Sequence, residues 1–126
     1  MINANGYQQY RYNSIVSASP ERLMIMLFEG AIKFVRLAKK AVEEKDIESA
    51  NYNIARAEDI IAELEASLDM SYEVSEDLVR IYDFLYRQLI EANIKKDVNI
   101  LDTVESMLAD LKDTWSEACL RLKKNA

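Results

Sequence analysis

The chain contains no histidine, one cysteine, one proline and two glycines among its 126 residues. Without histidine, three chemistries common in helical proteins are lost: di-iron sites built on Glu-x-x-His pairs, phosphotransfer through a phosphohistidine, and most haem ligation. The lone Cys119 excludes a disulfide framework within one chain and suits a reducing compartment. It falls on the apolar side of a helix pattern, where it reads as a small buried hydrophobe. Beyond Gly30 there is neither glycine nor proline, so a strand-and-turn protein has almost no punctuation to build on.

Other absences narrow the function. No stretch approaches the roughly 20 apolar residues needed to cross a bilayer, and the N-terminus lacks the basic and then apolar segments of a secretory signal, so the expected setting is cytoplasmic. Net charge of −6 and a pI near 4.7 disfavour a nucleic-acid binder, whose affinity rests on Lys and Arg against phosphates. Arg121, Lys123 and Lys124 form the nearest basic group, and they suit the negative end of a helix dipole. Carboxylate pairs such as Glu43-Glu44 and Glu63/Glu65 fall on charged helix faces or in a loop and read as solvated. No Gly-rich phosphate loop or serine nucleophile motif is present. The expectation is a non-enzyme with no cofactor, no metal and no small-molecule substrate.

What remains is helix. Ser19 reads as an N-cap, Pro20 suits the first helical position, and Glu21 sits at the positive end of the dipole. Helices are expected from about Pro20 to Val42, Ile47 to Leu68 after Asp46, Glu76 to Lys95 after Ser75, and Val98 to Lys123 after Asp97, each start having an Asp or Ser cap. The connections are short, so consecutive helices should be antiparallel neighbours. The predicted fold is all-α: an antiparallel up-down-up-down four-helix bundle over residues 19–126, preceded by an N-terminal arm over 1–18.

The helix faces differ. On the fourth helix Ile100, Leu101, Val104, Met107, Leu108, Leu111, Trp115, Ala118, Cys119 and Leu122 fill an arc of about 120°, an ordinary core face. On the first helix the run Leu23-Met24-Ile25-Met26-Leu27-Phe28 helps to spread apolar side chains over about 260°. One core cannot use them all. The centre of that arc, Leu23, Leu27, Ala31, Phe34, Ala38 and Ala41, is assigned to the core, leaving Ile25, Phe28 and Ile32 on one flank and Met26 and Leu37 on the other. The third helix places Leu78, Ile81, Leu85, Leu89 and Ala92 in its core stripe, with Val79, Tyr86 and Ile90 as surplus beside it. On the second, beyond a core stripe of Ala50, Ile54, Ala57, Ile61, Leu64 and Leu68, the alanines Ala55, Ala62 and Ala66 line a shallow seam. That seam admits two readings, close approach of another backbone or simple helix propensity.

Before the first helix lies Tyr7-Gln8-Gln9-Tyr10-Arg11-Tyr12, whose tyrosines fit neither an amphipathic helix nor a strand. The segment reads either as an adaptable interface arm or as a terminus with no fixed place. With the surplus flanks it points to binding something apolar and extended, for which an amphipathic helix in a groove is the natural mode. The same flanks would also serve a structural bundle that associates with copies of itself.

The ordered blocks Tyr10 with Asn13-Ser14, Ser17-Ala18-Ser19-Pro20-Glu21-x-Leu23, Met26-Leu27-Phe28-Glu29-Gly30-Ala31, Ile60-Ile61, Ser67-Leu68-Asp69, Ile81-Tyr82-Asp83-Phe84-Leu85, Leu89-x-x-Ala92-Asn93 and Asp113-x-Trp115-x-x-Ala118 resemble the FliS family of flagellar secretion chaperones. The likeness runs from about Tyr7 to Ala118, with mild departures at Ser17, Phe28 and Phe84-Leu85. It implies a cytoplasmic bundle that binds the disordered C-terminal segment of flagellin, keeps it from polymerising, and delivers it to the export gate of the flagellar type III secretion apparatus. It also brings in an anti-sigma factor of flagellar gene control as a further partner. The residues expected to meet a partner are Tyr7, Tyr10, Ile25, Phe28, Ile32, Ala55, Ala62, Val79, Tyr86 and Ile90.

Overall fold

The structure is a computed structural model that describes residues 19–124. Among the described residues four helices follow one another: α1 (Pro20–Glu43), α2 (Ile47–Ala66), α3 (Val74–Lys95) and α4 (Val98–Lys124). Three of the expected caps are in place. Ser19 Oγ accepts from the Arg22 N–H at 3.2 Å, Asp46 Oδ1 from Ser49 N–H at 3.1 Å, and Asp97 Oδ1 from Asn99 N–H at 2.8 Å. The fourth expectation is corrected: α3 begins at Val74, and Ser75 is buried one residue inside it with its hydroxyl donating to the Asp69 carbonyl at 2.5 Å. The intervening loop is closed by an Asx-type turn, in which Asp69 Oδ1 accepts from Ser71 N–H at 2.9 Å and Ser71 Oγ–H at 2.6 Å. Those two hydrogen bonds hold the Asp69 carboxyl below the usual aspartate range.

At the opposite end of the bundle the turns are tighter. Lys45 (φ 60°) and Lys96 (φ 50°) adopt the left-handed conformation that glycine usually supplies after a helix. Asp46 N–H bonds back to the Ala41 carbonyl at 2.8 Å and Asp97 N–H to that of Ala92 at 3.2 Å, so each turn satisfies carbonyls the helix end would orphan. The side chain of Lys96 ties this end together, donating to Asn51 Oδ1 of α2 at 2.6 Å and to Asn93 Oδ1 of α3 at 2.8 Å.

Contacts between helices fix their directions. Trp115 Nε1–H donates to the Glu21 carbonyl at 3.1 Å, whereas Lys39 and Arg36 meet Glu105 at 3.2 Å each, so α1 and α4 run antiparallel. Ser67 against Met24, and Lys96 against Asn51, give the same sense for α1 with α2 and α2 with α3. Each helix packs on its two sequence or ring neighbours, most extensively α1 on α2 and least α3 on α4. Lys39 lies between Asp102 and Glu105, and its hydrogen bond to Asp102 raises its pKa against the opposing effect of burial.

The core contains Ile54, Ala57, Ile61 and Leu64 of α2, Tyr82, Leu85 and Leu89 of α3, and Leu101, Val104 and Leu108 of α4. The assigned face of α1 is corrected. Its buried residues are Phe28, Ala31, Ile32, Val35, Ala38 and Ala41, while Leu23 is exposed and Leu27 and Phe34 are only half-buried. The reason is the second neighbour: α4 covers the flank that looked surplus. On α4 itself Ala118 and Leu122 are exposed, because the helix runs on past the level of Glu21, where α1 begins. Trp115 is half-buried against the edge of the core and straps α4 to the start of α1.

Candidate partner-binding face

Helical spacing sorts the expected partner residues into two groups. Glu21, Ile25, Phe28, Ile32, Arg36 and Lys39 follow one another at steps of three or four, which makes them a single strip of α1. Glu21, Arg36 and Lys39 of that strip are bonded to α4, so the whole strip is turned toward it. Phe28 is 2 % and Ile32 6 % exposed, and Ile25 is half-buried. The expectation of an open partner surface at Phe28 and Ile32 is therefore corrected, since α4 packs where the partner was placed. Tyr7, Tyr10 and the rest of the expected arm lie outside the described residues.

The other five share one face. On α2 the strip Asn51, Ala55, Glu58, Ala62 and Glu65 again steps by four and three, and Asn51 at its head receives the Lys96 hydrogen bond from the end of α3. On α3, Val79, Tyr82, Tyr86, Ile90 and Asn93 form the matching strip, with Asn93 held by the same Lys96 ammonium. Ser75 on Asp69 at one end and Lys96 on Asn51 at the other fix the antiparallel register. Stepping inward from these contacts brings Ala55 level with Ile90, Glu58 with Tyr86, and Ala66 with Val79. The alanine seam, with Ala55, Ala62 and Ala66 all exposed, forms a low wall beside the surplus flank of α3.

This face is apolar and unpartnered among the described residues. Tyr86 is 37 %, Ile90 41 % and Ile94 79 % exposed, Ala55 and Ala62 are exposed, and Val79 is half-buried. Tyr82 closes the floor toward the core, where burial pushes its phenol up to about 12. Ile94, one turn beyond Ile90 on the same side of α3, escaped the sequence reading although continuing the row by four residues would have found it. Glu58 was missed too, because charge on a helix face reads as solvated. Here its carboxyl is half-buried, and that burial, followed by the charge of Asp59, raises its pKa. Within 4.0 Å none of Glu58, Glu65 and Asp83 is paired with a cation of the described residues.

No group of three or more His, Cys, Asp or Glu side chains able to hold a metal occurs among the described residues, and no described helix is long and apolar enough to cross a membrane. A shallow hollow of about 210 Å³ lies elsewhere, between the end of α1 and the start of α2, lined by Leu37, Lys40, Ala41, Glu44, Asp46, Ser49 and Asn53. The Asn53 amide there is already bonded to the Ser49 carbonyl at 2.8 Å.

Known proteins resemble the chain over almost its whole length. The family described as "Flagellar protein FliS" matches residues 3–122. The flagellar secretion chaperone FliS of Bacillus subtilis is 40% identical over 125 residues, covering 99% of this chain and 94% of that one. Its counterpart in Salmonella typhimurium is 30% identical over 124 residues, covering 93% and 92%. A crystal structure of a bacterial flagellar chaperone superposes with a TM-score of 0.76 at 22% identity, over 93% of this chain and 97% of that one, which shows a common fold. By sequence over nearly its whole length, this chain belongs to the FliS family of flagellar secretion chaperones, which is not a family of enzymes.

Proposed function

We propose that the α2–α3 face receives the disordered C-terminal segment of flagellin, which folds on it as an amphipathic helix. Bound in this way, the segment is withheld from polymerisation in the cytoplasm until it reaches the export gate of the flagellar type III secretion apparatus. The observation that carries the reading is the exposed row Tyr86, Ile90 and Ile94 facing a wall of alanines, a shape that accepts a helix spaced at i, i+3, i+4 and i+7. Membership of the FliS family, whose relatives are flagellar secretion chaperones, supports a flagellar export client. An anti-sigma factor of flagellar gene control is the further partner that the resemblance implies.

The test is titration calorimetry of the full chain with a synthetic flagellin C-terminal segment. Burying a side chain the size of isoleucine contributes about 1.5 to 3 kcal/mol, so Ile90→Asp should weaken binding at least about tenfold. Because Ile90 is 41 % exposed in the free protein, the same change should leave the helical circular dichroism intact. A wild-type chain that ignores the segment and sediments as a tight homodimer would replace this reading with self-association.

A further inference from the structure

We propose that the helical segment accepted by the α2–α3 face carries a lysine or arginine placed against Glu58, and that this pairing selects among otherwise similar apolar helices. The inference rests on the assignment of that face to a client, and it adds which client helices fit.

Its ground is the position of Glu58 between Ala55 and Ala62. Alanine on both sides leaves the carboxylate standing out of a low wall, level with Tyr86 across the groove. A helix seated over Ala55 and Ile90 must cover it. Among the described residues no cation is paired with it, and Arg56, also on α2, meets Asp59 at 3.4 Å instead. Asp59 and Glu65 on α2 are acidic, as is Asp83 on α3, and the only nearby cation of α3, Arg87, points its Nε–H at the Asp83 carbonyl of its own helix at 3.4 Å. Burial already disfavours the ionised form of Glu58 in the free protein. Covering it further with an uncharged helix removes water from an uncompensated carboxylate, whereas an incoming ammonium or guanidinium replaces that water with a charge-assisted hydrogen bond. A negatively charged partner would meet Glu58 and Asp83 together and be rejected.

The experiment uses the full chain and three synthetic amphipathic peptides of roughly 20 residues, long enough to cover the face once helical. They are identical except for Lys, Gln or Glu at one position beside the apolar stripe. Wild type should bind them in the order Lys, Gln, Glu, with the Lys peptide favoured over Gln by about tenfold at low salt and less at high salt. Glu58→Gln should erase that preference, and Glu58→Lys should invert it. Asp83→Asn is the second variant, expected to weaken the preference in part without touching the alanine wall. Equal affinity for all three peptides, an order unaffected by Glu58→Gln, or binding of none of them overturns the proposal.

A flagellin C-terminal segment is titrated in parallel. If it binds wild type and Glu58→Gln alike, the electrostatic selection falls and the client assignment stands. If it fails to bind while the Lys peptide binds through Glu58, the client assignment falls and the selection stands.

Discussion

Replacing Gly30 by alanine sets two effects of known size against each other. Gly30 lies in the middle of α1, where alanine is the better helix former by about 0.8 to 1.0 kcal/mol. Against this, a Cβ at residue 30 would come to 3.3 Å of Ile60 Cδ1 on α2. The obstacle is the far end of a half-buried side chain, and displacing such a group costs about 0.5 to 1.5 kcal/mol when it leaves its rotamer well. A retreat of a few tenths of an ångström costs less than a full rotamer change, so the helix gain should win narrowly. We expect Gly30→Ala to be neutral or to stabilise by up to about 0.5 kcal/mol, and Gly30→Val, whose extra methyls cannot be cleared in the same way, to cost about 1 to 3 kcal/mol. Urea unfolding with matched slopes reads both values. Affinity for a flagellin segment is the internal control, because Gly30 faces the side of α2 away from the Ala55 and Ala62 wall. A loss above about 1 kcal/mol for the alanine variant would refute the reasoning and show that Ile60 is locked and that glycine sets the α1 to α2 spacing.

Two further outcomes follow from burial. Phe28→Ala should cost about 3 to 5 kcal/mol in chemical denaturation, a large share of the total stability of such a domain, while any variant molecules that remain folded bind client normally. Selective loss of client affinity without loss of stability would instead return Phe28 to the partner surface. Glu58→Gln should stabilise the free protein at neutral pH, because the raised carboxyl pKa means that ionisation opposes folding. That advantage should be full above the folded pKa of Glu58 and vanish as pH falls below its unfolded value. Melting curves across the carboxylate range check it, and a variant less stable at neutral pH would show that burial and the charge of Asp59 do not oppose ionisation of Glu58.

Much of this was legible in the sequence. Cap residues, the absence of glycine and proline after Gly30, and the 3.6-residue periodicity placed four helices with starts off by no more than two residues. Ser75 shows one limit. A serine before a helical pattern usually caps it, but here Asp69 organises the loop and captures the hydroxyl, and the helix begins two residues earlier than expected. Phe28 and Ile32 show the other. A helical wheel measures how wide an apolar arc is, not where its neighbours stand, and the centre of a wide arc is ambiguous until a second helix is known to cover one edge. For α2 and α3 the surplus was narrow and one-sided, and those residues converged on one groove. Glu58 was illegible because its burial depends on the packing of α3, which lies far away in the chain.

The tight turns at Lys45 and Lys96 give the bundle two unlike ends. One is stapled by left-handed lysines, six-residue hydrogen-bonded loops and an ammonium shared between α2 and α3. The other carries a seven-residue connection between α2 and α3 and the last turns of α4, whose Leu120 and Leu122 are 59% and 71% exposed. Amide exchange should therefore rise from the stapled end toward the open one, since few buried contacts oppose local opening there. A helix lying along α2 and α3 would then rest on a stiff edge and a yielding one, which lets it peel away progressively from the compliant side without unfolding its carrier.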